Sequence, residues 1–362
     1  MKEKKIINQM EPWYDEEEVN AVTEYLRSGG WIMEHRKTRE LEQMICDFTG
    51  TKYCSVVANG TAGLFVALKA IGIKKDDDVI VPDYTMIATP NAVVLAGANP
   101  IFVDVDNSIC LDIEKVKKAI TVKTKAIMHV SINGRAGRLK ELQTFCKEEG
   151  IALIEDAAQS LGSFYKEKHL GTYGVIGSFS FSVPKIITMG QGGALITNDK
   201  ELYRKICKIK DFGRIGSGID IHDEFGWNFK FTDLQAVFGI EQMKKLPFRV
   251  QRKKEIGKLY KKLLSDIKQV KTIETDFNEV APWFIEILVN EPDKLRDYLK
   301  LQNIGTRVFY PTIHTQKIYN NVIGNFPNAT KLSKHGLWLP SASNLRDEEV
   351  DSICKSIRNF YY

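Results

Sequence analysis

One lysine stands alone among uncharged residues near the middle of the chain. In the stretch FSFSVPKIITMGQGGA, Lys185 follows an apolar run interrupted by serine and proline and precedes a glycine cluster. An ammonium group buried without a partner is costly and tends to lose its proton. A desolvated lysine is also the nucleophile that forms a Schiff base with a carbonyl compound. The simpler alternative is a solvent-facing lysine whose stem lies along the surface.

A second candidate is the stretch ANGTAG at 58–63, where a predicted strand ends and a helix begins. Gly60 permits close backbone approach, Thr61 offers a hydroxyl, and the first helical turn exposes free N–H groups. Such a helix terminus binds phosphate. The alternative is that Asn59 or Thr61 only caps the helix. The stretch is not a Walker loop, because the chain contains no GxxxxGK.

A third candidate is IEDAAQS at 154–160, which places Glu155 and Asp156 at the end of a predicted strand. A carboxylate there could hold a proton on a heteroaromatic nitrogen, and Gln159 would lie on the same side of a following helical turn. The alternative is again a helix cap. A phosphate anchor, an acidic strand end and a buried lysine, in this order, are the groups that bind pyridoxal 5'-phosphate.

The elements that would position these groups alternate between strand and helix through the first two thirds of the chain. Apolar runs at 54–58, 79–82, 100–105, 126–131 and 151–156 are separated by amphipathic helical segments. Strands of this kind predict a mostly parallel sheet covered on both faces, an α/β fold. Ligands of such sheets bind at the carboxyl ends of the strands, where the candidate residues fall.

The pattern changes near residue 235, and we predict a second domain. Residues 233–267 read as long helices broken near Pro247, followed by a strand at 283–289, a helix at 293–302, a strand at 306–310 and a helix at 347–360. This set is sufficient for a smaller α+β domain. We therefore expect a large cofactor-binding domain at 1–247 and a small domain at 248–362. The N-terminal helix predicted at 15–30 could pack on either, and we assign it to the large domain.

Composition narrows the class of protein. The 362 residues are 43% hydrophobic, and the 51 basic and 46 acidic residues are interspersed, for a net charge of +5. This charge pattern does not favour nucleic acid or membrane partners, whereas a small anionic ligand fits it. The six cysteines form no CxxC pair, the N-terminus lacks the apolar core of a signal peptide, and no apolar run approaches bilayer length. We expect a reduced, cytoplasmic protein.

Two other features receive the simpler interpretation. The histidines show no HExxH or similar spacing, so no metal site is expected. The basic stretch at 244–262 alternates with apolar residues at helical spacing, which predicts a solvated helix face; holding a nucleotide diphosphate is the alternative.

The motifs, taken together, resemble a known family. NGTAGL, LIEDAAQSLGS, GTYGVIGSFSF, GQGGALITND and GWNFKFTDLQAVFG occur in one order, and similar matches cover nearly the whole chain. The sequence resembles the nucleotide-sugar aminotransferases of the DegT/StrS type. These are pyridoxal-phosphate enzymes of fold type I, within the aspartate aminotransferase superfamily.

The resemblance implies a role for each matching residue. Lys185 would form the covalent Schiff base with the cofactor, Asp156 would pair with the pyridine nitrogen, and Gln159 would touch the phenolic oxygen. The remaining residues would hold the phosphate or lie near the sugar. They are Gly60, Thr61 and Ser180 for the phosphate, together with Asn228 from the other subunit of a homodimer, and Tyr310 and His314 for the sugar.

Four positions depart from the family's pattern. Met86 stands where an aromatic ring usually stacks on the cofactor, so the contact would become a sulfur–aromatic one. Ser131 replaces a histidine, Gln191 replaces the glutamate of the glycine turn, and Lys230 replaces an arginine. These changes leave the predicted cofactor contacts intact and affect the sugar-facing half of the site.

The activity implied by the resemblance is transfer of an amino group from L-glutamate to a nucleotide-linked 4-keto-6-deoxyhexose, as in perosamine and viosamine synthesis for surface glycans. One alternative is a sugar 3-dehydratase of the same family, which carries histidine at the position of Lys185. A second is a non-catalytic, cofactor-binding regulator on the same fold. A dinucleotide-dependent oxidoreductase is disfavoured, because no GxGxxG follows the first strand.

Overall fold

Seven strands form the central sheet of the computed structural model, which describes residues 6–216 and 218–362. The sheet has the order β1-β9-β8-β5-β4-β2-β3. Four strand pairs are parallel, and β9 runs antiparallel to both of its neighbours. The strands are β1 Tyr53–Val57, β2 Asp78–Pro82, β3 Asn99–Val103, β4 Thr124–Val130, β5 Ala152–Asp156, the short ribbon β6 Phe164–Tyr165 and β7 Lys168–His169 outside the sheet, β8 Ile176–Ser180 and β9 Gly193–Thr197. The predicted mostly parallel α/β fold is confirmed.

Helices cover both faces of this sheet. They are α1 Glu16–Arg27, α2 Arg36–Thr49, α3 Gly60–Ala70, α4 Ala88–Leu95, α5 Ile113–Ala119, α6 Leu139–Glu149 and α7 Lys200–Lys210. In β2, Val79 and Val81 join the apolar cluster of α3, α4 and α7, whereas Ile80 between them joins the cluster of α5 and α6. Since alternate residues point to opposite faces, strands buried on both sides must be apolar throughout.

One edge of the sheet gathers the ends of six strands. Strands β1, β2, β3, β4, β5 and β8 all end at this edge, and the antiparallel β9 begins there. We call it the carboxyl edge. Asn59, Asp83, Ser131, Asp156 and Ser180 lie at or just beyond these strand ends. The fold therefore brings to one place residues that are far apart in sequence.

Helix α8, Asp233–Leu264, is a single helix of 32 residues, and the predicted break near Pro247 is wrong. Its first half contributes Ile240 and Leu246 to the core beneath the sheet, and its second half contributes Ile256 and Tyr260 to the C-terminal core. Proline removes one backbone donor and strains a helix. Burial of apolar side chains on both sides of it offsets that cost here.

The basic residues of α8 do not all face solvent, so the solvated-face prediction is wrong for two of them. Arg249 and Lys253 are 2% and 1% exposed. Arg249 donates to the carbonyl of Trp13 at 2.6 Å and to Gln242 Oε1 at 2.7 Å. Lys253 donates to two backbone carbonyls, those of Trp283, at 2.7 Å, and Ser341.

The C-terminal part contains a three-stranded antiparallel sheet with the order β10-β12-β11, which confirms the smaller α+β unit. Its elements are β10 Ile285–Leu288, α9 Pro292–Leu301, β11 Arg307–Val308, α10 Pro327–His335, β12 Gly336–Leu339 and α11 Asp347–Tyr361. Ile7 pairs with Ile304, and Gln9 accepts the Ser341 N–H, so the first described residues contact this smaller unit. The division at residue 247 stays a prediction.

Several features bear on the class of protein. In the described chain, no helix combines the length and apolarity needed to cross a membrane. All six cysteines are free thiols. Nowhere within residues 6–216 and 218–362 do three or more His, Cys, Asp or Glu side chains gather in a way that could hold a metal ion.

Candidate active site

Lys185 lies in the connection between β8 and β9, with its Nζ 4.0 Å from the centroid of the Trp283 ring. The Trp283 indole is fixed by a hydrogen bond from its Nε1 to the Pro184 carbonyl, 2.7 Å long. Burial lowers the pKa of Lys185 to about 8, although the nearby charge of Asp156 opposes the shift. With that pKa, roughly a tenth of the side chains are uncharged at pH 7, which suits a nucleophile.

Asp156 ends β5 at the carboxyl edge and is 5% exposed. Its Oδ2 accepts the Thr89 hydroxyl at 2.8 Å, and its Oδ1 accepts the Ala158 N–H at 3.2 Å. Burial raises the pKa of Asp156, while these two donors and the Lys185 charge lower it. The carboxylate retains further acceptor capacity, so it can take an N–H donor from a heteroaromatic ring.

The adjacent Glu155 is not available for the same role. Its carboxylate accepts the backbone N–H groups of Gly171, Tyr173 and Gly174, at 2.7 Å for the two glycines. Because successive strand residues point to opposite faces, Glu155 supports the loop after β7 while Asp156 faces the Lys185 side. Of the two acidic residues in the motif, Asp156 is therefore the candidate site residue.

The predicted phosphate anchor forms where α3 begins. Asn59 caps the helix by accepting the Ala62 N–H at 2.8 Å, so the cap interpretation is correct for this residue. A Cβ atom at Gly60 would lie 3.0 Å from the Ser180 Cβ, and one at Gly193 would lie 2.8 Å from the Asn59 carbonyl carbon. Only glycines allow β1, β8 and β9 to meet this closely.

These groups fit pyridoxal 5'-phosphate. The first N–H groups of α3 have no partner within the helix, and no hydrogen bond engages the Thr61 hydroxyl in the described chain. Helix dipole, N–H groups and the hydroxyls of Thr61 and Ser180 match a phosphate dianion. The Asp156 carboxylate and the Lys185 amine are the groups that could contact its ring nitrogen and its carbonyl.

Gln159 lies in a turn after β5, three residues beyond Asp156. The side chain is 8% exposed. Its Oε1 accepts the backbone N–H of Asn133 at 2.9 Å. No hydrogen bond involves its Nε2 in the described chain, which leaves this donor available.

Tyr310 and His314 reach the same edge from the C-terminal unit. The Tyr310 ring centroid lies 6.4 Å from that of Tyr84, which follows β2. Burial raises the pKa of Tyr310 to about 12, while the Arg307 charge opposes this shift and the Asp156 charge adds to it. His314 contacts Asp83 twice, through its backbone N–H at 2.9 Å and its Nδ1 at 2.6 Å. Asp83 is fully buried directly after β2.

Asn228 is not joined to the Lys185 cluster by any hydrogen bond or ion pair in the described chain. Its side chain is exposed, in a segment that pairs with Asp211. The neighbouring Lys230 donates to Asp211 Oδ1 at 2.6 Å. The predicted contact of Asn228 with the phosphate of a second subunit stays a prediction.

Three further positions depart from the family's pattern: Met86, Ser131 and Gln191. Met86 is 46% exposed just before α4, and its predicted contact with the cofactor ring stays a prediction. Ser131 is buried just after β4, and its hydroxyl has no hydrogen-bond partner in the part of the chain that the structure describes. Gln191 is exposed, and its carbonyl accepts from Gln235 Nε2 at 2.8 Å.

Sequence reasoning missed three residues of this site: Thr89, Asn133 and Trp283. Thr89 could have been suspected, because it follows a predicted strand at the carboxyl edge and carries a hydroxyl. Trp283 lies about 100 residues from Lys185 in sequence, in the other predicted domain, and its contact depends on how the two units pack. No local sequence pattern predicts such a contact.

Comparison with protein families gives one match across most of the chain. Residues 12–358 match the model described as the DegT/DnrJ/EryC1/StrS aminotransferase family. The chain is 38% identical over 328 residues to a GDP-perosamine synthase of Escherichia coli O157:H7, covering 89% of this chain and 90% of the relative. It is 31% identical over 360 residues to the GDP-perosamine synthase of Vibrio cholerae, covering 97% and 98%.

Solved structures share the architecture. The PLP form of Spr1654 from Streptococcus pneumoniae, a putative sugar aminotransferase, superposes with a TM-score of 0.93 at 25% identity, covering 98% of each chain. The similarity extends over both units of the fold rather than over the central sheet alone.

Proposed function

The chain belongs to the DegT/DnrJ/EryC1/StrS aminotransferase family, and from this premise we propose that it moves the amino group of L-glutamate onto a GDP-linked 4-keto-6-deoxyhexose. The protein is a nucleotide-sugar aminotransferase that depends on pyridoxal 5'-phosphate. The nucleotide, the sugar carbon and the donor belong to the proposal. The observation that carries it is a lysine of lowered pKa beside a buried aspartate, at the edge of the sheet where α3 begins.

The similarity to two GDP-perosamine synthases supports GDP as the nucleotide and carbon 4 as the position that receives nitrogen. Perosamine is an amino sugar, so its precursor must present a ketone at the carbon that is aminated. Tyr310 and His314, on the C-terminal side of the carboxyl edge, are the residues we assign to the sugar. A glycan precursor carrying a diphosphate also agrees with the chain's net positive charge.

Bound at this site, pyridoxal phosphate would supply a carbonyl that carries the amino group and a ring that accepts electrons from the broken C–H bond. The residues of the chain do the rest. Gly60, Thr61 and Ser180 hold the phosphate, and Asp156 keeps the ring nitrogen protonated. Lys185, uncharged in part at neutral pH, takes a proton from the substrate carbon at its Nζ and returns it.

The contact between Trp283 and Lys185 also affects the protonation of the lysine. Its ring excludes water from one side of the Nζ, and this desolvation favours the uncharged amine. The ring face also attracts the ammonium form once the lysine has taken a proton. The lysine can therefore hold either state, as a group that moves protons in both directions requires.

The lysine at position 185 argues against two alternative functions, a sugar 3-dehydratase and a non-catalytic regulator. Family members that dehydrate the sugar at C3 carry histidine at this position, and histidine cannot form a covalent link to the cofactor. A regulator without activity has no need for a lysine of lowered pKa beside Asp156. Both observations support amino transfer.

We further propose that the working unit is a homodimer in which Asn228 completes the phosphate site of the partner subunit. Large apolar side chains are exposed in the segment that precedes Asn228 and just before α2. Met33 and Ile215 of this set line one surface groove. Exposed apolar patches of this kind mark interfaces. The set comprises Trp31, Ile32, Met33, Ile215, Ile219, Ile221 and Phe225.

A cytoplasmic location is also proposed, and the six free thiols support it, because disulfides persist in oxidising compartments.

A substrate panel tests the proposal. Purified protein with pyridoxal phosphate and L-glutamate is incubated with GDP-, UDP- and dTDP-linked 4-keto-6-deoxyhexoses, and products are read by mass. We expect an amino sugar from the GDP compound, with the other two slower by tenfold or more. A dTDP or UDP compound that reacts fastest would overturn the assignment of the nucleotide.

A further inference from the structure

Asn133 lies between the large unit and the C-terminal unit and is fully buried. It occupies the middle of the short turn Ile132–Gly134 that follows β4, with φ 49° and ψ 31°. This left-handed conformation is uncommon for residues other than glycine, and asparagine tolerates it better than most. In the described chain, the hydrogen bonds of its side chain and of its backbone N–H all go to residues at or near the active site.

The backbone N–H of Asn133 determines how the Gln159 amide is oriented. An N–H can only donate, so the Gln159 atom 2.9 Å from it must be the oxygen, Oε1. The NH2 end of the same amide then points elsewhere as a donor. A phenolic oxygen that carries negative charge needs such a donor, whereas a carbonyl oxygen directed at it would repel it.

We infer that Asn133 is a positioning residue of the active site, which orients the Gln159 amide toward the cofactor and ties it to the C-terminal unit. This inference rests on the proposed function, because Gln159 meets the cofactor only if the site is used as proposed. Asn133 itself does not contact the reacting atoms.

The Asn133 side chain forms the link to the C-terminal unit. Its Oδ1 accepts the backbone N–H of Phe284 at 3.2 Å, and its Nδ2 donates to the Glu286 carboxylate in β10. Glu286 also pairs with Arg135, and Arg135 Nε donates to Thr275 Oγ1 at 2.9 Å. These groups are all buried, so each depends on its partners for hydrogen bonds.

The same link reaches the catalytic lysine. Phe284 stacks on Trp283 with ring centroids 3.8 Å apart, and the Trp283 ring covers Lys185 Nζ. The Asn133 side chain thus holds the segment that positions Trp283, and the Asn133 backbone N–H holds Gln159. Two groups that face the cofactor, from two units of the fold, are fixed by one residue.

The side chain must be both donor and acceptor for this arrangement to hold. Aspartate is nearly isosteric with asparagine and tolerates the same backbone conformation, but it would place an acceptor against the Glu286 carboxylate. When Asn133→Asp is combined with Glu286→Gln, the amide at position 286 can donate to the carboxylate at position 133. The contact then again has one donor and one acceptor. This pair of changes separates the hydrogen bond from the shape of the side chain.

The test compares Asn133→Asp, Asn133→Asp with Glu286→Gln, and Asn303→Asp. Asn303 is a matched control, because it also has a left-handed φ of 61° and lies in the turn after α9, where its backbone carbonyl accepts the Ile7 N–H. Cofactor-free protein is titrated with pyridoxal 5'-phosphate, followed by tryptophan fluorescence. The pH midpoint of the bound cofactor's visible absorbance is then measured.

For Asn133→Asp we expect the Kd for pyridoxal phosphate to rise about tenfold, the lower end of what loss of an orienting residue costs. A donor on the phenolic oxygen draws charge from it and lowers the absorbance midpoint, so its displacement should raise that midpoint by about one pH unit. The double variant should recover most of both changes, and Asn303→Asp should show neither.

If Asn133→Asp is not recovered as folded protein, Asn133→Gly replaces it. Glycine adopts the same φ without strain, removes both side-chain bonds and adds no charge. An unchanged Kd and midpoint in the folded Asn133 variant would overturn the inference. The Gln159→Leu variant distinguishes failure of this inference from failure of the proposed function. If Gln159→Leu shifts the midpoint and the Asn133 variant does not, only the role of Asn133 is contradicted. If Gln159→Leu does not shift the midpoint either, the proposed contact of Gln159 with the cofactor is contradicted as well.

Discussion

Asp156 is buried and Lys185 is partly buried, and burial acts on their protonation in opposite directions. It lowers the pKa of the amine to about 8 and raises that of the carboxyl group, and the attraction between the two charges counters both shifts. For Asp156, the Thr89 hydroxyl and the Ala158 N–H further stabilise the charged form. Burial outweighs these interactions, so the pKa of Asp156 lies above its usual value, whereas the pKa of Lys185 is lowered to about 8.

The lowered pKa of Lys185 predicts a distinctive pH profile for its reaction with aldehydes. The uncharged fraction of a group with a pKa of about 8 rises roughly tenfold between pH 7 and pH 9 and then levels off. An ordinary lysine gains about a hundredfold over the same range and does not level. Cofactor-free protein should therefore form a borohydride-reducible adduct with pyridoxal at Lys185 with the first profile, as measured by peptide mapping.

The exposed lysines of the same sample provide the internal control for that profile. A rate at Lys185 that still climbs steeply above pH 9 would show that its amine is hydrated like theirs.

The Asp156→Asn variant should retain the cofactor and lose most of its turnover. The amide is close in shape but cannot hold the ring nitrogen protonated while negative charge builds on the ring. We expect kcat to fall on the order of a hundredfold or more, as for other single electrostatic stabilisers. Absorbance of the bound cofactor and steady-state kinetics measure the two effects separately, and near-normal kcat would mean that another residue pairs with the nitrogen.

At the level of helices and strands, the apolar runs of β2 to β5 predicted most of the parallel part of the sheet, because strands buried on both faces have to be apolar throughout. Strands β8 and β9 were not predicted, since GVIGSFS and GGALITN mix glycine and serine into short runs. Glycine is needed there: a Cβ at Gly177 would lie 2.0 Å from the Gly171 carbonyl oxygen. A requirement for close backbone approach leaves no hydrophobic pattern to detect.

The candidate site was predictable to the extent that its residues follow strand ends. Asp156, Gln159, Gly60 and Ser180 are of this kind. Asn133 and Trp283 act through contacts between the two units of the fold, and neither lies in a motif of reactive residue types. The burial of Lys253 was missed for a related reason, because a lysine on an amphipathic helix faces solvent unless another unit covers it.

The buried Lys253 predicts that one lysine of α8 stabilises the fold strongly. Lys253→Met keeps the apolar stem but leaves the Trp283 and Ser341 carbonyls without their donor. We expect the free energy of unfolding to fall by about 2 kcal/mol or more. Lys261→Met, on the exposed side of the same helix, should change it by less than about 0.5 kcal/mol. Urea denaturation measures both, and equal effects would contradict the buried position.

In a single chain, Asn228 and a set of large apolar side chains are exposed to solvent. A two-fold dimer would cover these side chains and give each site one contribution from the other subunit. Each active site would then depend on residues of two chains.

Shared sites predict complementation between inactive variants. In a dimer of one Lys185→Ala subunit and one Asn228→Ala subunit, one of the two sites contains both native residues. After subunit exchange in an equal mixture, about half of the dimers are mixed, so activity should recover to about a quarter of the native value. The variants assayed separately are the controls, and a fully active monomer in sedimentation would contradict the shared site.

The most direct test of amino transfer is the fate of nitrogen. The protein is incubated with ¹⁵N-labelled L-glutamate and a GDP-linked 4-keto-6-deoxyhexose, and the sugar nucleotide and 2-oxoglutarate are quantified by mass spectrometry. We predict one ¹⁵N atom in each product sugar in place of the keto oxygen, one 2-oxoglutarate per sugar, and no transfer by Lys185→His. A 3-deoxy keto sugar without nitrogen, or no product from any nucleotide-linked keto sugar, would contradict it.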